Sequence, residues 1–243
     1  MKHLFLALVF WAALASPASA QQMRARELFY KETAAPPAQP KKKTPSQKTP
    51  PVPASPPTFG LKYKILRSSG QSGFEEAGAS ENFRNGDRLR VAVEANADSY
   101  LYIAAKGTSG KWEVLFPNAT AEGGDNHVKR LKATMVNFSV EGAPGEEKLF
   151  LILSRQPETN LDAIIYKLSG GASAGPRLIA GRIGAIDDGL ISRVRNEVRA
   201  RDLVFESVND RTPGERKEKA GYVVNTSSSP DSRVYADIVV KHR

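Results

Sequence analysis

Cysteine is absent from all 243 residues. That excludes a disulfide framework, an Fe–S cluster, a thiolate zinc site, a cysteine nucleophile and a lipid anchor on a lipobox cysteine. Histidine is nearly as scarce, with three in the chain. His3 falls in the leader described below, and His127 and His242 stand too far apart in sequence to give the H-x-x-x-H spacing of a helix-borne zinc site. His242 reads as part of an extreme C-terminal tail, which leaves catalysis without an ordered general base. No glycine loop ending in lysine is present to cradle a phosphate. No cofactor and no metal is therefore expected.

One set of letters suggests a nucleophile. Gly171-Ala172-Ser173-Ala174-Gly175 spells G-x-S-x-G, a motif that needs a strand before it and a helix after it to strain and expose the serine. Here a helical pattern precedes it and Pro176 follows. The expectation is a chain without catalytic residues, the alternative being a hydrolase whose active site no motif reveals.

What the chain does contain divides into three parts. Lys2 and His3 precede an apolar run from Leu4 to Leu14, and Ala18-Ser19-Ala20 supplies an A-x-A cleavage site. Residues 1–20 therefore read as a secretory signal cut before Gln21. The run falls short of the ~20 apolar residues needed to span a bilayer, so no transmembrane span is expected after cleavage. The protein is expected to be exported, periplasmic or secreted.

Residues 21–58 read as a disordered tether. A short amphiphilic stretch from Met23 to Tyr30 opens it, and Thr33 to Pro57 holds nine of the sixteen prolines. Proline fixes φ and removes a backbone donor, which favours extended polyproline II geometry over a packed core. Lys41, Lys42, Lys43 and Lys48 make the tether basic and mark it as a candidate contact with anionic cell-envelope polymer. They also bear on the net charge of +9. In a cytoplasmic chain that charge would suggest nucleic acid, but export and the lack of a basic or aromatic stripe argue against it.

From residue 59 to 243 the pattern is that of one mainly β domain. Leu61, Tyr63 and Ile65 alternate with Lys62 and Lys64, and Leu89, Val91, Val93 and Ala95 alternate after the Asn85-Gly86 turn, as half-buried strands do. Tyr100–Ala104 and Trp112–Phe116 continue an antiparallel series through Asn96-Ala97-Asp98 and Gly107–Gly110. Met135–Val140 and Lys148–Leu153 flank Gly142-Ala143-Pro144-Gly145 as a hairpin. Its second arm is apolar on both faces, which marks it as central.

Helical spacing then takes over in an insertion at about 158–221. Leu161, Ile164, Ile165 and Leu168 predict one helix. A second is expected from Asp188 to Phe205, with Leu190, Ile191, Val194, Val198 and Phe205 as its apolar stripe and Asp187-Asp188 as its cap. Strand patterning returns at Tyr222–Val224 and Val234–Val240. The expected fold is an antiparallel β-sandwich-like domain with a two-helix insertion before the last strand. Pro117 ends a strand and Asn118 begins a loop with Gly123-Gly124-Asp125-Asn126 ahead of His127. Asn118, Asp125, Asn126 and His127 form the candidate binding loop, since loops at a sandwich edge often carry recognition. Asp125 with Asn126 has too few ligands for calcium.

Several of these pieces resemble the bacterial domain-of-unknown-function family 4384 (DUF4384). They are Phe83-Arg84-Asn85-Gly86-Asp87-Arg88-Leu89-Arg90, Tyr100-Leu101-Tyr102-Ile103, Leu115-Phe116-Pro117-Asn118, and the run from Glu147 to Ser154 after Gly145. The resemblance covers about 61–157 and 221–241. It implies a compact β-sandwich, found beside signalling or peptidase modules and in exported proteins, with no catalytic residues assigned. An unknown envelope protein or an anionic envelope polymer is the expected partner of such a module.

Overall fold

The computed structural model describes residues 24–31, 58–70, 73–78, 80–117, 126–158, 161, 186–198, 202–209 and 218–243. The expected signal segment, the proline-rich stretch 33–57, the Gly171–Gly175 motif with Ser173, and the first expected helix beyond Leu161 lie outside them. Leu161 itself is helical and buried.

Two sheets face each other, as the alternation predicts. The first contains β1 (Phe59–Ser68), β2 (Phe74–Ala77), β4 (Arg88–Ala95), β8 (Thr134–Ser139), β10 (Leu203–Asn209) and β11 (Lys219–Asn225). Its order is β10-β11-β1-β4-β8. On the edge of β1 away from β4, β11 pairs along Phe59–Tyr63 and β2 along Ile65–Ser68. The second sheet contains β3 (Asn82–Phe83), β5 (Ser99–Lys106), β6 (Trp112–Phe116), β7 (His127–Val128), β9 (Gly145–Ser154) and β12 (Arg233–His242). Its order is β3-β12-β9-β5-β6, with β7 on β5, and only the short β3–β12 pairing is parallel. Two helices are described, α1 (Ala25–Lys31) and α2 (Asp188–Glu197).

The core lies between the sheets. Leu61, Ile65, Leu89, Val91 and Val223 from the first meet Leu101, Ile103, Leu149, Leu151, Leu153, Val234 and Ile238 from the second. β9 is central, between β12 and β5. Its other face, Phe150 and Ile152, packs under Leu190, Ile191 and Val194 of α2. That explains why this strand is apolar on both sides.

Two expected hairpins are not formed. β4 and β5, like β8 and β9, belong to different sheets, so the chain crosses the sandwich at Asn96–Asp98 and again after Val140. The cause is burial. β5 and β9 each bury both faces, one against the first sheet and the other under α2, and their place in the second sheet supplies both. At the first crossing, the Asn96 side chain does not make a hairpin turn but holds the start of β1. Its Oδ1 accepts from the Gly60 N–H at 2.7 Å, and its Nδ2 donates to Thr58 O at 3.0 Å.

The second insertion helix is also shorter than its periodicity suggests. Asp187 caps it as expected, its carboxylate accepting from Leu190 N–H at 2.7 Å. Asp188 does not cap. Its carboxylate instead takes Lys106 Nζ at 2.7 Å and the Trp112 indole N–H at 2.8 Å, and these bonds hold it below the usual carboxylate range. The helix closes when Val198 N–H donates to Arg195 O at 3.2 Å. Leu203–Asn209 then form a strand on β11, and Phe205 is exposed rather than on a helix stripe. A run rich in β-branched and aromatic residues satisfies either period, and the free edge of β11 selects the strand. The insertion is thus partly strand.

The largest departure concerns the expected tether. Ala25, Leu28 and Phe29 are buried in α1, against Val208, Ala220, Tyr222 and Val224 on the outer face of the first sheet. Residues 25–31 therefore belong to the domain. Their pattern is amphipathic over barely two turns, too short to hold a helix alone, and only the sheet beneath them makes it stable.

Candidate functional site

α1 sits on a socket built for one aromatic ring. Gly60 lies in β1 beneath Phe29, where an added Cβ would meet the ring's Cδ2 at 2.9 Å and Val224 Cγ2 at 3.2 Å. Phe29 also meets Tyr30 and Tyr222 edge-on, at centroid distances of 5.1 and 5.7 Å. The Thr58 hydroxyl donates to Leu28 O at 3.3 Å, so the end of α1 and the start of β1 are joined. At the other end, Glu206 of β10 accepts the Arg26 N–H at 2.8 Å.

A charged network borders this helix. Lys62, with a nearly buried side chain, donates to Tyr30 OH at 3.0 Å and lies 3.2 Å from Glu218 Oε1 and 3.4 Å from Glu94 Oε1. Tyr222 OH donates to Glu218 Oε2 at 3.0 Å, Lys64 lies 3.2 Å from Glu218 and 2.6 Å from Glu76, and Arg26 lies 3.6 Å from Glu218. Burial acts to lower the Lys62 pKa, but Tyr30, Glu94 and Glu218 outweigh it and hold the ammonium above its ordinary range. Burial likewise acts to raise Glu218, and Lys62 with its neighbours overrides it to keep the carboxyl low. Burial, then Tyr30 and Glu218, push the Tyr222 hydroxyl up. A lysine nucleophile needs a depressed pKa, and Lys62 is shifted the other way. The network fastens α1.

The expected site residues separate. Lys41, Lys42, Lys43 and Lys48 lie outside the described residues; on either side of that stretch, α1 ends at Lys31 and the Thr58 hydroxyl is joined to Leu28. In the expected binding loop, Asn118 and Asp125 lie outside the described residues. Asn126 accepts the Leu101 N–H at 2.9 Å, and His127 pairs with Tyr100 on β5 and packs edge-on to its ring at 5.3 Å. Asn126 and His127 are thus used by the sheet. Leu115 and Phe116 pack on the core at the end of β6, as the Pro117 stop predicts.

His242 corrects a further expectation. It is the last residue of β12, with a fully buried side chain whose Nε2 lies 3.4 Å from Glu147 Oε1. The alternation from Val234 to Val240 simply continues through it. That signal is present in the sequence, although residues near a chain end are usually loose.

Two hollows open on the surface of the described residues. A cavity of about 200 Å³ opens beside Tyr63, whose ring lies across Gly221 and whose hydroxyl pKa burial raises. A polar cleft of about 410 Å³ is lined by Glu197, Asp202, Asn225, Ser227, Asp231 and Arg233. Its arginine is already taken by Glu197 at 2.9 Å and Glu158 at 2.5 Å. Among the described residues no group of three metal-ligating side chains converges, and no helix is long and apolar enough to cross a membrane.

No curated protein and no solved structure matches the chain. A family match does exist, and it begins at β3 and ends just after β9, so β1, β2, β10, β11 and β12 lie beyond it. Residues 82–157 match the model of a family described as a domain of unknown function (DUF4384), and over that span the chain carries a DUF4384-like region.

Proposed function

We propose that the chain is an exported, non-catalytic binding module that presents its basic, proline-rich segment from one end of a β-sandwich to an anionic cell-envelope polymer. The observation that carries this reading is the junction of Leu28 and Thr58. Because α1 and β1 are both fixed to the first sheet, the two ends of the basic segment, at Lys31 and Thr58, both belong to the domain. Lys41, Lys42, Lys43 and Lys48 are then held at a local concentration set by the domain's own position. Display of this kind suits a polyvalent, weakly specific partner, since each lysine near a charged surface adds roughly 1 kcal/mol at low salt.

The non-catalytic part is supported by the chemistry of the described polar groups. Lys62 is protonated and paired, Asp188 is spent on Lys106 and Trp112, and the serines of the polar cleft bond to one another and to backbone, as when Ser232 Oγ donates to Ser229 O at 2.6 Å.

The test is sedimentation of residues 21–243 with isolated cell envelopes and with dextran sulfate as a defined polyanion. Replacing all four lysines by Gln is expected to weaken both interactions at least tenfold at low salt. Raising the salt to several hundred millimolar should weaken the unsubstituted protein's binding by a similar factor. Salt-insensitive binding, or binding unchanged in the four-lysine variant, would refute the electrostatic reading. Turnover in a hydrolase panel that disappears in Ser173→Ala would refute the non-catalytic one.

A further inference from the structure

The end of the sandwich opposite the Asn96 crossing contains two ionisable groups in a place that ordinarily holds none. In β12, Val234, Ala236, Ile238 and Val240 point into the inter-sheet core, and His242 follows them on the same face. On β9 the inward series Leu153, Leu151, Leu149 is continued by Glu147, opposite Val240 in the register. His242 stands opposite Gly145, and the room left by that glycine's missing side chain is taken by the Thr108 methyl, 2.8 Å from where a Cβ would stand.

The His242 side chain has no exposure and that of Glu147 only 10%. Neither imidazole nitrogen makes a hydrogen bond among the described residues, although Nε2 is 3.4 Å from Glu147 Oε1. Burial pushes the Glu147 carboxyl above its ordinary range, an effect that His242 and a backbone N–H from Thr108 offset in part.

The other charged groups on the surrounding strands and turns are engaged elsewhere. Glu146 and Lys241 pair across the outer face at 3.5 Å. Lys106 is bound to Asp188, and Asp87 accepts the Arg84 N–H at 2.9 Å. Glu141 takes the Ser139 hydroxyl at 2.7 Å, Lys148 lies on the exposed side of β9, and the Arg243 backbone is tied to Phe83 and Asn85. Among the described residues, His242 is the one charged side chain that acts on Glu147.

We propose that His242 and Glu147 act as a single-proton latch that closes this end of the sandwich while the pair together holds one proton. With one proton the pair is neutral overall, either as an ion pair or as two uncharged groups. With none, a carboxylate is buried against a neutral ring. With two, an imidazolium is buried against a neutral acid. Either departure leaves an uncompensated charge in the core, which is costly.

The latch bears on more than its own strand. Beside His242, β12 pairs with Asn82 and Phe83, Arg243 N–H donates to Phe83 O at 3.1 Å, and Asn85 N–H donates to Arg243 O at 3.2 Å. Loosening this corner releases β3 and the turn from Arg84 to Asp87, so the device makes the start of the family-matched region sensitive to the pH of the surroundings.

Thermal melting of residues 21–243, Glu147→Gln and His242→Gln from pH 4 to pH 9 tests this directly. A lone buried histidine must charge as pH falls, so Glu147→Gln retains only the acid-side loss. A lone buried carboxyl is favoured when protonated, so His242→Gln retains only the loss as pH rises. The wild-type advantage is expected to be largest between about pH 5 and pH 8, at about 3–6 °C. It should fade above that interval against Glu147→Gln and below it against His242→Gln. An advantage that stays constant with pH in both comparisons would overturn the proposal. Nitrogen-15 spectra of the His242 imidazole in the unsubstituted protein give a second readout that needs no variant to fold. A ring that stays neutral from pH 4 to pH 9 would overturn it equally.

Discussion

Phe29→Ala is expected to destabilise the protein by about 3–4 kcal/mol, the range for emptying a buried aromatic site, in a segment whose sequence reads as a spacer. The ring is fully buried, in a socket that Gly60, Val224, Tyr222 and Tyr30 form around it. Without it, α1 retains Leu28 and Ala25, too little apolar area to fix a helix of 7 residues. The helix should leave the sheet, uncovering Tyr222 and Val224 and stranding Lys62 beside Glu218 without the Tyr30 hydroxyl. Urea unfolding followed by intrinsic fluorescence measures the loss. Gly60→Ala should act in the same direction, because the added methyl would stand 2.9 Å from the Phe29 ring. If Phe29→Ala changes stability by less than about 1 kcal/mol, α1 is not a working part of the domain.

Gly221→Val is expected to be nearly as damaging, at about 2–3 kcal/mol. Gly221 is mid-strand in β11, a position that normally weakens a sheet, and the reason for it is Tyr63. A Cβ there would meet Tyr63 Cζ at 2.2 Å and Cε1 at 2.3 Å. The ring lies across the glycine from β1 toward β10, partly buried against the core. Valine must therefore drive Tyr63 out. The diagnostic measurement is the double variant, since Tyr63→Ala removes the ring that the valine meets. Adding Gly221→Val to Tyr63→Ala should cost less than about 1 kcal/mol, a coupling that contacting residues show and distant ones do not. Purely additive losses would mean that the glycine serves some other purpose.

Where the sequence was read correctly, one physical signal was enough. Alternation sufficed for β1, β4 and β12 because each has one buried and one wetter face. The continuous apolar run of β9 sufficed to make it central. Asp187 was legible as a cap because its carboxylate has a single task.

The failures have a shared cause in competing partners. Asp188 resembles a capping residue until Lys106 and Trp112 approach from another element. Residues 203–209 fit a helical stripe until the edge of β11 becomes available. Asn96-Ala97-Asp98 looks like a turn because local composition does not record that β5 needs cover on two faces. α1 and His242 were hidden by position, since residues beside a proline-rich stretch or at a chain end are usually loose. Of the expected site, the lysines at 41–43 and 48 lie outside the described residues, whereas His127 belongs to β7 and the Asn126 carbonyl accepts from Leu101 of β5.

The end-to-end seating of β11 and β2 along one edge of β1 has a consequence for how the chain acquires its shape. Phe59 must find Asn225, and Phe83 must find His242, before either sheet is closed. These meetings span most of the polypeptide, which places the protein among slow, late folders. Until residues 219–242 are made, β1 has β2 and β4 but lacks β11, and β9 lacks β12, so both sheets stay incomplete.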